Sequence, residues 1–111
     1  MELKASDLRI GNLIAFGKQC CKVYEIQENC FYVIGEKERS FKSTSFKLEP
    51  IKLNHNLLIK LIIFFDDNYR FEIKGNRTTV YFNEKYLTTL EYLHELQNLY
   101  FTLTGSELTV A

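Results

Sequence analysis

Tryptophan is missing from this chain, proline occurs once, at Pro50, and fourteen basic side chains are matched by fourteen acidic ones. Balanced charge leaves no strong field to draw the protein to nucleic acid or to a membrane surface. The charge is not segregated either, since residues 1–50 carry eight basic and seven acidic side chains and residues 51–111 six and seven. The longest apolar run, Leu57 to Phe65, is broken by Lys60 and is far too short to cross a bilayer. Met1-Glu2-Leu3-Lys4 has no secretory pattern, so a soluble protein in the cytoplasm of a bacterial host is expected.

Chemistry-bearing motifs are equally scarce. Gly11, Gly17, Gly35, Gly75 and Gly105 each stand where a turn or helix cap is expected, and none begins a phosphate-cradling motif. Cys20, Cys21 and Cys30 have neither a zinc-knuckle spacer nor a second ligand pair, and read as reduced, partly buried thiols in strands. Asp66-Asp67 is the only adjacent aspartate pair, and it falls in a predicted turn, where Asp is common for backbone reasons. No metal, no cofactor and no enzymatic activity are therefore expected.

What the chain does have is apolar material. Hydrophobic residues make up 46% and aromatics 14%, all Phe and Tyr, enough for a core in one domain or two very small ones. Leu8 to Asn12 predicts a sharp bend into a strand over Leu13 to Phe16, followed by strands over Gln19 to Ile26 and Cys30 to Ile34. Glu36 to Ser45 reads as a polar loop, and Phe46 to Ile51 as a short strand ending near Pro50. Short strands with turns between them suggest a bent antiparallel sheet or SH3-like barrel over residues 1–53.

Over residues 54–111 the pattern changes. Asn54 predicts a helix N-cap, with Leu57, Leu58, Leu61 and Ile62 at helical spacing. Ile63 to Phe65, Tyr69 to Lys74 and a third run through Thr78, Val80 and Phe82 alternate as a three-stranded meander, with Gly75-Asn76 as a hairpin turn. Thr88 with Glu91 predicts a capping box, and Leu93, Leu96, Tyr100 and Leu103 predict one long helix stopped by Gly105. A closing strand over Glu107 to Val110 completes the expectation. The fold class is thus α+β: a β-rich unit, then a helix–meander–long helix unit packed against it.

Three segments match a known pattern in order: Leu8-Arg9-Ile10-Gly11-Asn12, Glu49-Pro50-Ile51-Lys52-Leu53, and Leu93 through Leu108 with its His94, Leu96-Gln97-Asn98-Leu99-Tyr100-Phe101 and Thr104-Gly105. Together they resemble a family of small uncharacterised proteins of Bacteroidetes, their phages and mobile elements. Its members usually carry proline where Lys52 stands here and glycine near Ile62. The resemblance implies a phage or mobile-element accessory protein and brings no established activity.

Two constellations could serve binding. On the long helix His94, Gln97, Asn98 and Phe101 share a strip suited to hydrogen bonding with stacking, for a host protein or a small nucleotide. The bland alternative is that the strip satisfies backbone groups or faces solvent. Lys37, Arg39, Lys42 and Lys47, interleaved with Phe41 and Phe46, could form a weak single-stranded nucleic-acid or anion site, or a solvated loop diluted by Glu36, Glu38 and Glu49. The expected function is non-enzymatic binding in host takeover or defence evasion. A nucleic-acid module and a self-assembling phage component are the alternatives, the last because sixteen aromatics could supply an interface patch.

Overall fold

The structure, a computed structural model, describes residues 3–108 and residue 110. Met1 and Glu2 of the expected cytosolic start lie outside the described residues. The chain is mixed α and β, and its described residues form eight strands in two antiparallel sheets and two α-helices. It divides into two compact units, Met1–Ile51 and Lys52–Ala111.

Unit 1 holds β1 (Leu13–Phe16), β2 (Gln19–Ile26), β3 (Phe31–Ile34), β4 (Ser40–Lys42) and β5 (Glu49–Pro50). They form one sheet in the order β4-β3-β2-β1-β5, and no pairing joins β4 to β5, so the sheet is not closed into a barrel. The Leu8–Asn12 motif is its entry turn. The Asn12 N–H donates to the Arg9 carbonyl at 3.0 Å, with Gly11 at φ 101° in the position that side chains avoid. Asn12 is fully buried, and its Oδ1 accepts the Arg9 N–H at 2.6 Å. Two bonds of 2.9 Å, Gly11 N–H to Val23 and Val23 N–H to Asn12, fasten the turn to β2.

Alternation then sends Ile14, Cys21, Val23, Phe31, Val33 and Phe41 to one buried face. Phe41 lies 4.7 Å from Phe16 and 5.0 Å from Phe46 between ring centroids. Gly35 is fixed by space: a Cβ there would sit 2.7 Å from Gln19 Oε1 and 3.0 Å from Cys21 Sγ. Three expectations need correction in this unit. The polar segment contains β4, because Phe41 opposite Val33 alone gives it an inward anchor. The strand expected over residues 46–51 contracts to β5, since Ser45 and Phe46 turn back onto the Lys42 carbonyl. Cys20 is exposed, one residue out of step with buried Cys21.

Unit 2 holds α1 (His55–Ile62), β6 (Tyr69–Lys74), β7 (Arg77–Phe82), β8 (Lys85–Leu90) and α2 (Leu93–Thr104). Asn54 caps α1 as expected, its Oδ1 accepting the Leu57 N–H at 2.8 Å. Residues 63–65 are not a strand: the Phe64 and Phe65 N–H groups bond back to Leu61 and Ile62, so the helix unwinds in tight turns. A three-stranded meander exists, with β8 as its third member. Gly75, at φ 60°, makes the first hairpin, and Asn83 and Glu84, at φ 51° and 66°, make the second. Two successive left-handed residues match the twist of a tight hairpin, so the chain reverses where a helix lead was expected.

The long helix accordingly begins at Leu93, and Thr88 belongs to β8. Glu95 supplies the cap: its Oε1 accepts the Glu91 and Tyr92 N–H groups, both at 2.9 Å. Gly105, at φ 75°, ends the helix as expected, its N–H donating to Phe101 at 2.8 Å. Phe65 fills space between sheet and helix, 5.0 Å from Phe71 and 5.2 Å from Tyr100. Of the expected closing strand, Thr109 lies outside the described residues, and Glu107, Leu108 and Val110 join neither sheet. Among the described residues no helix is long and apolar enough to cross a membrane.

Candidate functional site

The meander has two edges. On β6, Arg70, Glu72 and Lys74 project together: Glu72 receives Arg70 at 3.2 Å and Lys74 at 3.1 Å, and Arg70 also reaches Glu84 at 3.1 Å. Hydrogen bonds from Lys74 and then Arg70 hold the Glu72 carboxyl below its usual value. The Arg70 guanidinium lies 4.1 Å from the Tyr81 ring centre. On β8 the corresponding run is Leu87, Thr88 and Thr89, with no charge. Charged edges repel an added strand and uncharged ones admit it.

An open groove of about 410 Å³ runs between β8 and α2, lined by Thr88, Thr89, Glu95, Asn98, Leu99 and Thr102 among others. Beyond one end of β8 the chain supplies its own pairing segment. The Leu53 N–H donates to the Glu91 carbonyl at 3.0 Å, and Lys52 bridges Tyr92 in antiparallel sense. At Asn54 that segment leaves into α1. Backbone groups alternate along a strand, so the Thr89 N–H and C=O face the same side as the Glu91 carbonyl. β7 pairs with β8 on one side, and no described strand pairs with that part of β8 on the other.

The helix strip divides. His94 and Gln97 are 1% and 2% exposed, and His94 stacks on Tyr92 at 5.9 Å with 13° between planes. Burial pushes the Tyr92 hydroxyl above its ordinary pKa, and the Glu91 and Glu95 carboxylates add to the effect. Asn98 is half-buried and lines the groove, and Phe101 is 37% exposed. An incoming partner therefore meets Asn98 and Phe101 before His94 or Gln97.

No protein-family model, curated protein or solved structure matches the chain.

The four candidate cations of the first unit, Lys37, Arg39, Lys42 and Lys47, are exposed and dispersed. Lys37 sits in a turn of 3-10 helix at φ 56°. Arg39 lies over the Phe41 ring at 5.6 Å, on the buried side of β4, while Lys42 lies on the opposite side, 5.8 Å from the Tyr32 ring. Lys47 pairs with Glu49 at 3.5 Å. Strand alternation, invisible while the segment reads as a loop, is what separates them.

Thiol chemistry finds little support. Desolvation pushes both the Cys20 and Cys21 thiols up, for Cys21 with help from its neighbour, and so away from the reactive thiolate. Among the described residues no three His, Cys, Asp or Glu side chains converge where they could hold a metal ion. The residues missed from sequence are Leu87, Thr88 and Thr89. Their signal was the Asn83-Glu84 pair, because Asn tolerates the left-handed conformation a reversal needs.

Proposed function

We propose that this protein is a non-enzymatic binding protein that takes an extended segment of a partner protein as an added strand on β8. The uncharged run of Leu87, Thr88 and Thr89, open on the side away from β7 and lying beside Asn98 and Thr102, carries the reading. Strand addition draws affinity from main-chain hydrogen bonds and specificity from pockets for alternate side chains. The groove lies open beside the strand edge, an arrangement that suits an extended segment. The resemblance noted above supplies the context, an accessory protein of a phage or mobile element acting on a host protein in takeover or defence evasion. In the same reading unit 1 is an open SH3-like sheet, supported by the return of β5 to pair with β1.

The test is a display selection of extended peptides on the immobilised protein. Selected peptides should slow amide exchange at residues 87–89 and lose binding in Thr89→Pro. That change removes an N–H from the free edge and leaves the β7 ladder intact. Peptides that protect other residues, or bind Thr89→Pro equally well, would defeat the proposal. Concentration-dependent dimerisation through residues 87–89 would transfer the edge to a second copy and favour the self-assembly alternative.

A further inference from the structure

The outer face of the unit 1 sheet carries a group that no loop reading brings together. β2 and β3 shift register between Val23 and Glu25, so Tyr24 is an additional residue with no partner of its own. Such a bulge re-aims a side chain. Here it lays Tyr24 over the face opposite the buried Cys21 and Val23. The Tyr24 ring lies 6.2 Å from that of Tyr32, and its hydroxyl is hydrogen-bonded to Ser40 Oγ on β4. The ring is thus held at its far end while 41% of the residue stays exposed.

Cations flank it. Lys42 pairs with Tyr32 across β3 and β4 and lies over its ring, and Lys22, two residues before Tyr24, projects on the same face opposite Ile34. Both are exposed, and neither makes an ion pair among the described residues, unlike Lys47, Arg70 and Lys74. The carboxylate at the bulge, Glu25, accepts the Gln27 amide at 2.7 Å.

We propose that Tyr24 and Tyr32, flanked by Lys22 and Lys42, form a binding face for single-stranded nucleic acid. A fixed aromatic ring stacks on an unpaired base without losing much freedom on binding. Uncompensated lysines on either side complement the phosphates of a strand crossing it. A duplex, with its bases already stacked, offers nothing to the rings. The site lies within unit 1 and does not depend on the strand-edge reading of β8.

The experiment is fluorescence anisotropy with a labelled oligothymidylate of about twelve nucleotides, within the range such surfaces cover. Two phosphate contacts predict a roughly sevenfold loss of affinity between about 50 and about 200 mM salt. Tyr24→Ala should weaken binding about fivefold or more, the loss of one base stack, and Tyr24→Phe, which keeps the ring but loses its bond to Ser40, should weaken it less. Lys22→Gln with Lys42→Gln should flatten the salt dependence, and Arg39→Gln, on the other side of β4, should leave it unchanged. Lys22 and Lys42 are surface residues, so that double variant decides the matter even if Tyr24→Ala is unstable. The proposal is overturned by no binding at the lowest salt, by equal affinity for a duplex of the same length, or by full affinity in the lysine double variant.

Discussion

The two edges of the meander are built from strands of equal length and defended in opposite ways. β6 carries Arg70, Glu72 and Lys74, tied to one another and, through Arg70, to Glu84 across the sheet. β8 carries Leu87, Thr88 and Thr89 without a charge and has a groove beside it. Exposed pairs of this kind add little to stability. Their larger effect is to make β6 unattractive to another strand. The difference teaches that one edge is closed by chemistry while the other is left available, and that α2 frames the available one.

The comparison breaks first if α2 is not a fixed wall. Leu96 is fully buried on it, so Leu96→Ala should cost about 2–5 kcal/mol in urea unfolding. A cost below about 1 kcal/mol, the size of a surface effect, would place the helix elsewhere. Next comes the edge itself. Thr89→Lys gives β8 the kind of guard β6 has, and should weaken capture of a selected peptide tenfold or more, about 1.4 kcal/mol. Its unfolding midpoint should not move, and unchanged capture would mean that charge does not govern the edge.

The third test asks whether β8 exists. Asn83 is left-handed at φ 51°, so Asn83→Val should cost about 1 kcal/mol. No loss would mean the chain does not reverse there. The smallest effect concerns the guarded edge. The Glu72 carboxyl titrates below its ordinary 4.5 in the folded protein, so its contribution is present above that value and is lost as pH falls through the lower one. A slight acid destabilisation, absent in Glu72→Gln and weakened by salt, is expected. An identical acid profile in Glu72→Gln would show that the β6 charges act only between molecules.

Where a residue's local chemistry dictates its conformation, the fold was legible. Gly75 and Gly105 mark a hairpin and a helix end, Asn54 caps α1, and the alternation of residues 13–16 and 19–26 becomes β1 and β2. The failures share a cause. Thr88 and Glu91 imitate a capping box one turn before the real one, where Glu95 acts. The reversal at Asn83 and Glu84 contains no glycine to announce it. β4 is short, and its one apolar anchor, Phe41, stands among charges that read as solvated. Half of the candidate helix strip is buried for a tertiary reason, since no local pattern predicts that His94 stacks on Tyr92. The groove is not legible in the sequence, because its β8 wall carries a helix-like cap pattern at Thr88 and Glu91.

The short bridge from Lys52 and Leu53 to Glu91 and Tyr92 has a consequence for how the second unit holds together. It ties the neck of a chain loop that contains α1 and the whole meander. Closing a loop of that length carries an entropic cost that grows only slowly with its size, so the neck can be held by few bonds when the contents pack well. A single proteolytic cut at the exposed Gly75–Asn76 turn should therefore leave two fragments travelling as one particle through gel filtration. Leu53→Pro, which removes the N–H that donates to the Glu91 carbonyl at the neck, should let those fragments part at lower denaturant.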